Sequence, residues 1–271
     1  MNKIAVSKLS EYLYCKRKLY LQEVLGFVPE LKREVVKGSI RHNVFDDVNK
    51  LDESIVKSFK RFVPFSDVFM SYRSAYYKSF FGFVQRNKED LLKVGIKPME
   101  FFHEKWPAFL FEARERANKV HNLMGKEKVF GDQLWERLFP KYMTEIWVES
   151  DFLKLKGVID RIEIFEDRAV PIELKTGKMP HEGVWPGHRI QLEAYMLLIN
   201  EGLGKNVKEG YIEYLDSKER RGVVMNPFVR EEIVGLVNDV FAMLESDKVP
   251  EKVKNENKCK SCALREKCYN L

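Results

Sequence analysis

Two short stretches, Gly157-Val158-Ile159-Asp160 and Ile172-Glu173-Leu174-Lys175, decide the fold of this chain. Both lie in apolar runs rich in β-branched residues, which are typical of strands. Side chains alternate between the two faces of a strand, so Glu173 and Lys175 point to the same face. Two neighbouring strands would therefore bring two carboxylates and one ammonium group to one place.

This combination of side chains is suited to metal-assisted hydrolysis. Carboxylate oxygens are good ligands for a hard divalent cation, so Asp160 and Glu173 are candidate ligands of Mg²⁺ or Mn²⁺. Lys175 beside such a cation can favour a hydroxide nucleophile or stabilise negative charge on a phosphate. The alternative is that these charged residues stand at strand ends only because strand ends meet solvent.

Three further residues favour the catalytic interpretation. Gln191 and Tyr195 lie four residues apart in an apolar helical pattern, so they share one helix face and can bind a phosphate or orient the lysine. His42 lies in a predicted helix, and imidazole suits Mn²⁺ better than Mg²⁺. A lone histidine is more often structural, and this alternative stays open for His42.

The four cysteines form a second group of candidate ligands: Cys15, Cys259, Cys262 and Cys268. The last three read C-x₂-C-x₅-C, and a C-x₂-C pair can bind a metal or a cluster through thiolates. No secretory segment opens the chain, which predicts a reducing, cytoplasmic compartment without structural disulfides. We expect Cys15 to be the fourth ligand, and ligand count alone fits Zn²⁺ and an iron–sulfur cluster equally well.

Composition indicates a globular protein with an anionic partner. The 271 residues are 45% hydrophobic and 32% charged, and no apolar run approaches the ~20 residues of a membrane span. The 47 Lys and Arg against 41 Asp and Glu give a net charge of +6, which favours nucleic acid. Basic residues such as Lys16-Arg17-Lys18 adjoin the cysteines, either as a patch for a nucleic-acid backbone or as a solvated surface.

The order of these motifs resembles that of the CRISPR-associated RecB-like exonuclease family, iron–sulfur members of the PD-(D/E)xK nuclease superfamily. The matching motifs are Ser7-x₇-Cys15-Lys16-Arg17-Lys18-Leu19-Tyr20-Leu21, Gly38-x₃-His42, Gly157-x₂-Asp160, Glu173-x-Lys175, Gln191-x₃-Tyr195 and the closing Cys259, Cys262 and Cys268. The resemblance covers residues 1–45 and 145–271. Ile159 stands where the superfamily has proline, and about a hundred residues separate His42 from the strand near Glu145, more than the family core needs.

The resemblance implies a fold and a site. The fold is an α/β restriction-endonuclease-like (RecB-type) nuclease core with a helical insert and an iron–sulfur cluster domain formed by both chain ends. The implied catalytic residues are Asp160, Glu173, Lys175, Gln191 and Tyr195. The implied ligands of Mg²⁺ or Mn²⁺ are His42, Asp160, Glu173 and the carbonyl of Leu174. The cluster, with 4Fe-4S favoured over 2Fe-2S, would be held by Cys15, Cys259, Cys262 and Cys268.

The implied function is that of a metal-dependent DNA exonuclease, 5′→3′ on single-stranded DNA or DNA ends, that trims DNA for CRISPR spacer acquisition; endonuclease activity stays open. The implied partners are DNA and the CRISPR integrase proteins, without a membrane. One alternative is a repair or replication nuclease that works with a helicase in another chain, since no G-x₄-G-K-[ST] motif is present. The other is a silent DNA-binding module, although Asp160, Glu173 and Lys175 are all present.

The predicted elements divide the chain into three domains. Residues 1–45 and 228–271 form the N-terminal helices and the cysteine cluster domain, 52–142 the helical insert, and 143–227 the nuclease core, to which the N-terminal part contributes His42. Helices are predicted over 3–25, 31–50, 187–201 and 228–246, and strands over 143–149, 154–165, 169–175, 207–215 and 221–225. The insert interleaves rings with cations, as in Ser58-Phe59-Lys60-Arg61-Phe62, and its rings are either stacking platforms for single strands or, as we favour, buried helix faces.

Overall fold

The computed structural model describes residues 3–202, 204, 206–260 and 262–271. The chain divides into two compact units. The first unit comprises Met1–Leu31 and Glu145–Leu271, and the second comprises Lys32–Thr144. None of the helices in this described part of the chain combines the length and the apolarity that a membrane span requires.

Most of the described helices precede the strands of the core along the chain. The described elements are β1 (Ile4–Ala5), α1 (Val6–Tyr14), α2 (Lys16–Glu23), α3 (Arg33–Ser58), α4 (Phe65–Arg86), α5 (Lys88–Lys93), α6 (Pro98–Glu127), α7 (Gly131–Arg137), β2 (Lys141–Ser150), β3 (Leu155–Ile164), β4 (Ala169–Lys175), α8 (Pro186–Gly202), β5 (Glu209–Tyr214), β6 (Glu219–Val224), α9 (Val229–Leu244), α10 (Glu256–Lys260) and α11 (Arg265–Tyr269). The predicted strands of the core are all confirmed to within two residues at each end.

The strands form one mixed sheet in the order β1-β3-β4-β5-β6, and β2 also pairs with β3. β3 and β4 are antiparallel, with Arg161 opposite Ile172, whereas β4 and β5 are parallel, with Glu173 opposite Ile212. Parallel neighbours cannot be joined by a tight turn, so the chain crosses over the sheet between them. The crossover element is α8, which therefore lies against the strands that carry the predicted catalytic residues.

Helix α8 is buried along most of its length, because it packs on the sheet and also against α1. Every residue from Ile190 to Ile199 is buried. A helix that is apolar almost all round has to be covered on several sides, and α8 accordingly forms the centre of the core of the first unit. Gln191 and Tyr195 are thus positioned by a rigid element.

The prediction of one helix over residues 3–25 is wrong. Cys15 adopts an extended conformation (φ −165°, ψ 105°) that ends α1 and begins α2. Its Sγ accepts a hydrogen bond from the backbone N–H of Lys18 at 3.4 Å, so the cysteine caps the second helix. The break moves the Cys15 thiol off the helix surface and leaves it available as a ligand.

The second unit is a helical assembly built on α3, α4 and α6. Tyr76 and Phe80 are fully buried and Phe102 is 4% exposed, which confirms that much of the insert's aromatic content is core. Four rings depart from this pattern and are between 37% and 50% exposed, namely Phe62, Tyr77, Phe111 and Phe139. The aromatic residues of the insert therefore divide into a buried set and a surface set, although the sequence presents them as one run.

Candidate functional site

Asp160 lies on β3, and its carboxylate is held by the neighbouring strand. The backbone N–H of Leu174 on β4 donates a hydrogen bond to Asp160 Oδ2 at 2.8 Å. Burial raises the pKa of Asp160 to about 6, while the Leu174 N–H and the charge of Lys175 act against this rise. A half-buried carboxylate with a raised pKa can bind either a proton or a cation, which is the behaviour expected of a metal ligand.

Glu173, Lys175 and Gln191 form a closed triangle of hydrogen bonds. Lys175 Nζ donates to Glu173 Oε1 at 2.7 Å and to Gln191 Oε1 at 2.9 Å. Gln191 Nε2 in turn donates to Glu173 Oε1 at 2.7 Å. Glu173 is 3% and Gln191 7% exposed, so the ammonium group is fixed by buried partners rather than by solvent. The arrangement holds a positive charge and a carboxylate side by side.

Tyr195 lies one helical turn after Gln191 and packs against Gly157 on β3. A Cβ atom at position 157 would lie 2.8 Å from Cε1 of the Tyr195 ring, closer than such contacts occur. The glycine of the Gly157-x₂-Asp160 motif therefore makes room for the tyrosine of the Gln191-x₃-Tyr195 motif. Burial and the charge of Glu173 raise the pKa of Tyr195, so its hydroxyl stays protonated and can donate a hydrogen bond.

The sequence analysis missed Glu145, a third carboxylate of the site. One carboxylate oxygen of Glu145 and one of Asp160 lie within 4.8 Å of each other. The backbone at Glu145 has φ of 52°, a left-handed conformation inside β2 that costs about 1–3 kcal/mol for a residue other than glycine. A signal was present in the sequence, because Glu145 stands five residues before the end of β2 and Asp160 five residues after the start of β3.

His188, at the start of α8, is a second residue that the sequence analysis missed. Its Nδ1 lies 3.3 Å from the hydroxyl oxygen of Tyr214, the residue opposite Lys175 on the adjacent strand. Burial and the charge of Lys175 lower the pKa of His188 to about 4. The imidazole is therefore neutral at neutral pH. His188 belongs to no sequence motif that distinguishes it from any other histidine in a helix.

The other two predicted metal ligands are placed as follows. His42 lies on α3 in the second unit, and its role as a ligand stays a prediction. Leu174 lies on β4 between Glu173 and Lys175, with its N–H engaged by Asp160, and the role of its carbonyl also stays a prediction. Within the first unit, Asp160 and Glu145 bring carboxylate oxygens within 4.8 Å of each other, and such oxygens fit Mg²⁺ or Mn²⁺. The role of Glu173 as a ligand also stays a prediction.

The structure brings the four cysteines together. Cys15, Cys259, Cys262 and Cys268 are all partly buried free thiols, and they line one small cavity. Burial raises the pKa of the Cys15 thiol, and the other three sulfurs add to the effect, which requires them to be close. The structure thus places Cys15 beside the three C-terminal cysteines, and its role as the fourth ligand stays a prediction.

The surroundings of these sulfurs fit a bound metal or cluster. Backbone N–H groups of Lys18 and Leu264 donate to the sulfurs of Cys15 and Cys262, each at 3.4 Å. Hydrogen bonds to sulfur stabilise the thiolate form that a metal or a cluster requires. The four sulfurs with these donors satisfy the ligand requirement of a tetrathiolate site, and they do not distinguish zinc from iron and sulfide.

The sequence of this chain is similar to that of a known protein family. The family model described as PD-(D/E)XK nuclease superfamily matches residues 3–269. This range is almost the entire chain, so it includes both the carboxylate–lysine site and the four cysteines.

Three relatives illustrate the similarity. A CRISPR-associated exonuclease Cas4/endonuclease Cas1 fusion of Leptospira interrogans is 28% identical over 156 residues, 54% of this chain and 29% of that protein. A CRISPR-associated exonuclease Cas4 of Francisella tularensis subsp. novicida is 22% identical over 162 residues, 60% of this chain and 79% of that protein. A DNA replication ATP-dependent helicase/nuclease JHS1 of Arabidopsis thaliana is 28% identical over 130 residues, 42% of this chain and 10% of that protein. The chain thus matches less than a third of the fusion protein and a tenth of the helicase/nuclease.

Proposed function

Because this chain belongs to the PD-(D/E)XK nuclease superfamily, we propose that it is a metal-dependent DNA exonuclease that acts on single strands or DNA ends in the 5′→3′ direction. The observation that carries the proposal is the triangle in which Lys175 Nζ lies 2.7 Å from Glu173 Oε1 and 2.9 Å from Gln191 Oε1. A lysine held in this way beside metal-binding carboxylates can promote phosphodiester hydrolysis, because its charge stabilises the negative charge that develops on the phosphate.

The proposed roles follow from the contacts of each side chain. A bound Mg²⁺ or Mn²⁺ would polarise the scissile phosphate and lower the pKa of a water molecule. Asp160 and Glu173 would hold the cation, with Glu145, His42 and the Leu174 carbonyl as further proposed ligands. Lys175 stabilises negative charge at the phosphate and orients the attacking water. Gln191 fixes the position of Lys175, and Tyr195 donates a hydrogen bond toward the phosphate.

A cleavage assay tests this function. Single-stranded DNA labelled at either end is incubated with Mg²⁺, Mn²⁺ or EDTA, so that the order of products reports direction. We expect Asp160→Ala, Glu173→Ala and Lys175→Ala to abolish cleavage while DNA binding persists. Asp167→Asn, in the exposed turn between β3 and β4, removes a carboxylate from the same hairpin and should cleave normally. Near-normal cleavage by Lys175→Ala or Glu173→Ala overturns the assignment.

We further propose that Cys15, Cys259, Cys262 and Cys268 bind a 4Fe-4S cluster that fastens the two chain ends together. The shared cavity of the four sulfurs and the donors to them support this proposal. Protein purified without oxygen should be brown and contain iron and acid-labile sulfide. Cys15→Ser should lose the cluster as completely as Cys262→Ser. Stoichiometric zinc without sulfide, in protein made with iron available, would falsify the cluster.

The proposed cellular role is the trimming of DNA before CRISPR spacer acquisition, in a reducing, cytoplasmic compartment. Support comes from relatives whose names join an exonuclease to the Cas1 endonuclease in one polypeptide. A separate integrase chain is therefore the proposed partner. Co-purification of this protein with the integrase, and spacer acquisition that depends on Lys175, are the results expected. Acquisition that is unchanged by Lys175→Ala contradicts this role.

A second candidate is a DNA repair or replication nuclease that works with a helicase. It is favoured by the similarity to a helicase/nuclease, of which this chain matches a tenth. Stimulation of cleavage by a helicase and ATP on forked DNA, without an effect of integrase, would support it. The third alternative, a silent DNA-binding module, predicts binding without cleavage in the same assay.

A further inference from the structure

Arg17 is a buried cation whose side chain is directed at the cysteine cavity. It lies on α2, two residues after Cys15, and is 8% exposed. The basic run Lys16-Arg17-Lys18 suggested a patch for a nucleic-acid backbone or a solvated surface. Neither interpretation holds for Arg17, because a side chain with so little exposure can contact neither phosphates nor bulk water.

Its three hydrogen bonds to described residues go to the C-terminal part of the chain. Arg17 Nε donates to Cys268 Sγ at 3.2 Å, Nη2 donates to the Cys268 carbonyl at 3.3 Å, and Nη1 donates to the Pro250 carbonyl at 2.9 Å. The planar guanidinium fork matches these three acceptors at once, which a lysine ammonium on a flexible stem would not do. Arg17 therefore joins α2 to the segment that carries three of the four cysteines.

The donor to Cys268 differs in charge from the donors to two other sulfurs. Cys15 and Cys262 receive backbone N–H groups, each at 3.4 Å. Cys268 receives a group with a full positive charge at a shorter distance. Hydrogen bonds with a charged partner are about twice as strong as neutral ones, and they favour the anionic form of the acceptor.

The hydrogen bonds of Arg17 would affect how readily a bound cluster accepts an electron. The reduction potential of an iron–sulfur cluster depends on its net charge, its exposure and the hydrogen bonds to its sulfurs. Reduction adds a negative charge, which a buried guanidinium beside a ligand sulfur stabilises. Arg17 would therefore raise the potential at which a cluster bound in this cavity accepts an electron.

We propose that Arg17 is a positioning residue for the cysteine site, which sets the reduction potential of the bound cluster through Cys268 Sγ and holds the C-terminal segment in place. The inference rests on the proposed cluster. It assigns a role to one residue of the basic run, and it separates that role from DNA binding.

A redox titration tests the proposal without relying on cleavage. Native protein, Arg17→Gln, Arg17→Lys and the control Arg265→Gln are purified without oxygen, and iron and sulfide are counted. Arg265 lines the same cavity but is exposed. We expect Arg17→Gln to disfavour the reduced cluster roughly tenfold, a downward shift of about 59 mV for a one-electron couple. Arg17→Lys should shift less, and Arg265→Gln should match the native protein.

Each possible result of the titration either supports the proposed role of Arg17 or overturns it. An equal midpoint potential in native protein, Arg17→Gln and Arg265→Gln overturns the role of Arg17 and leaves the cluster in place. Native protein without iron and sulfide overturns the cluster and this inference together. If Arg17→Gln does not retain iron, Arg17→Lys decides alone: a lowered midpoint or faster loss of iron to a chelator supports the proposal, and native values for both overturn it.

Discussion

Glu145 contributes a third carboxylate to the proposed metal site, since one of its oxygens lies within 4.8 Å of an oxygen of Asp160. The left-handed backbone at this position is costly, and such conformations concentrate at functional sites. If Glu145 is a ligand, its side chain lowers the free energy of the bound cation directly. If it only meets solvent at a bulge in β2, its charge has no effect on metal affinity.

We therefore predict that Glu145→Gln weakens Mn²⁺ binding by about tenfold or more, because an anionic ligand is replaced by a neutral one. Calorimetric titration of the protein with Mn²⁺, without DNA, measures the effect. Glu149→Gln is the matched control, since it removes the same charge from the same strand but Glu149 contacts Lys3 at 3.1 Å. Equal affinities for the two variants would remove Glu145 from the site.

For single residues, the sequence predicted which side chains lie together better than it predicted all of their contacts. The hydrogen bonds among Glu173, Lys175 and Gln191 agree with the one-face argument for a strand and a helix. Glu145 was missed because an exposed carboxylate in an alternating strand looks like an ordinary solvent-facing residue. Arg17 was misinterpreted because burial depends on the path of the C-terminal segment, which local sequence does not contain.

Helix α8 positions the side chains of Gln191 and Tyr195 by packing on the sheet. One close contact is between Gly157 on β3 and the Tyr195 ring, where an added Cβ would lie 2.8 Å from Cε1. The ring is almost fully buried and the opposing strand is central in the sheet, so neither can move away freely. The requirement for glycine at this position is therefore set by the partner helix and not by the backbone conformation of β3.

We predict that Gly157→Ala lowers the free energy of unfolding by about 1–3 kcal/mol, because overpacking displaces the ring or the strand. Since Asp160 is three residues away, DNA cleavage should also fall. Chemical unfolding and the cleavage assay measure the two effects. Gly157→Ala combined with Tyr195→Phe leaves the clash in place, whereas Tyr195→Leu should restore stability but not cleavage. Normal stability of Gly157→Ala would refute the packing argument.

Helix α8 also carries a buried carboxylate that makes the stability of the protein depend on pH. Glu193 is 1% exposed, and burial raises its pKa to about 7, with Glu232 adding to the rise and Arg189 opposing it. The native protein then binds more protons than the unfolded chain between the ordinary glutamate pKa and about 7. Stability that depends on such a raised pKa falls as the pH increases through this window.

We predict that the free energy of unfolding of the native protein falls by at most about 3 kcal/mol between pH 4.5 and 7.5 through Glu193 alone. Glu193→Gln removes this contribution, so the variant should gain stability relative to native protein as the pH rises. Urea unfolding at a series of pH values measures the difference. Glu201→Gln, on the same helix with a 22% exposed side chain, serves as control. Parallel curves for native protein and Glu193→Gln would contradict the prediction.

The two compact units differ in charge. Residues 32–144 contain 22 Lys and Arg against 15 Asp and Glu, a surplus of seven positive charges. The remaining residues contain 25 Lys and Arg against 26 Asp and Glu, a surplus of one negative charge. The surplus of positive charge therefore lies in the second unit, which favours this unit as a contact for nucleic acid.

Tyr76 and Tyr77, neighbours in the sequence, have different roles in this unit. Tyr76 is fully buried, so it belongs to the scaffold and cannot stack on a base. Tyr77 is 45% exposed, and its ring packs edge-on against Trp106 with centroids 5.5 Å apart. The sequence does not distinguish the two tyrosines. The buried face of α4 is determined by its packing against α6 and not by the run of aromatic residues itself.

We predict that Arg61, Arg73 and Lys78 of the second unit contact the DNA backbone and that Tyr77 stacks on a base. Replacing the three cations by Gln should weaken single-strand binding and reduce the slope of log affinity against log salt by about 2, because fewer counterions are released. The control variant carries Lys208→Gln, Lys218→Gln and Lys248→Gln, which together remove the same amount of positive charge from the first unit.

The predicted stacking of Tyr77 is tested separately. Tyr77→Ala should cost about 1–3 kcal/mol of binding free energy. Affinity and melting temperature are measured for the same proteins. If both triple variants change the salt slope equally, or if Tyr77→Ala lowers the melting temperature at unchanged affinity, this unit is only packed scaffold.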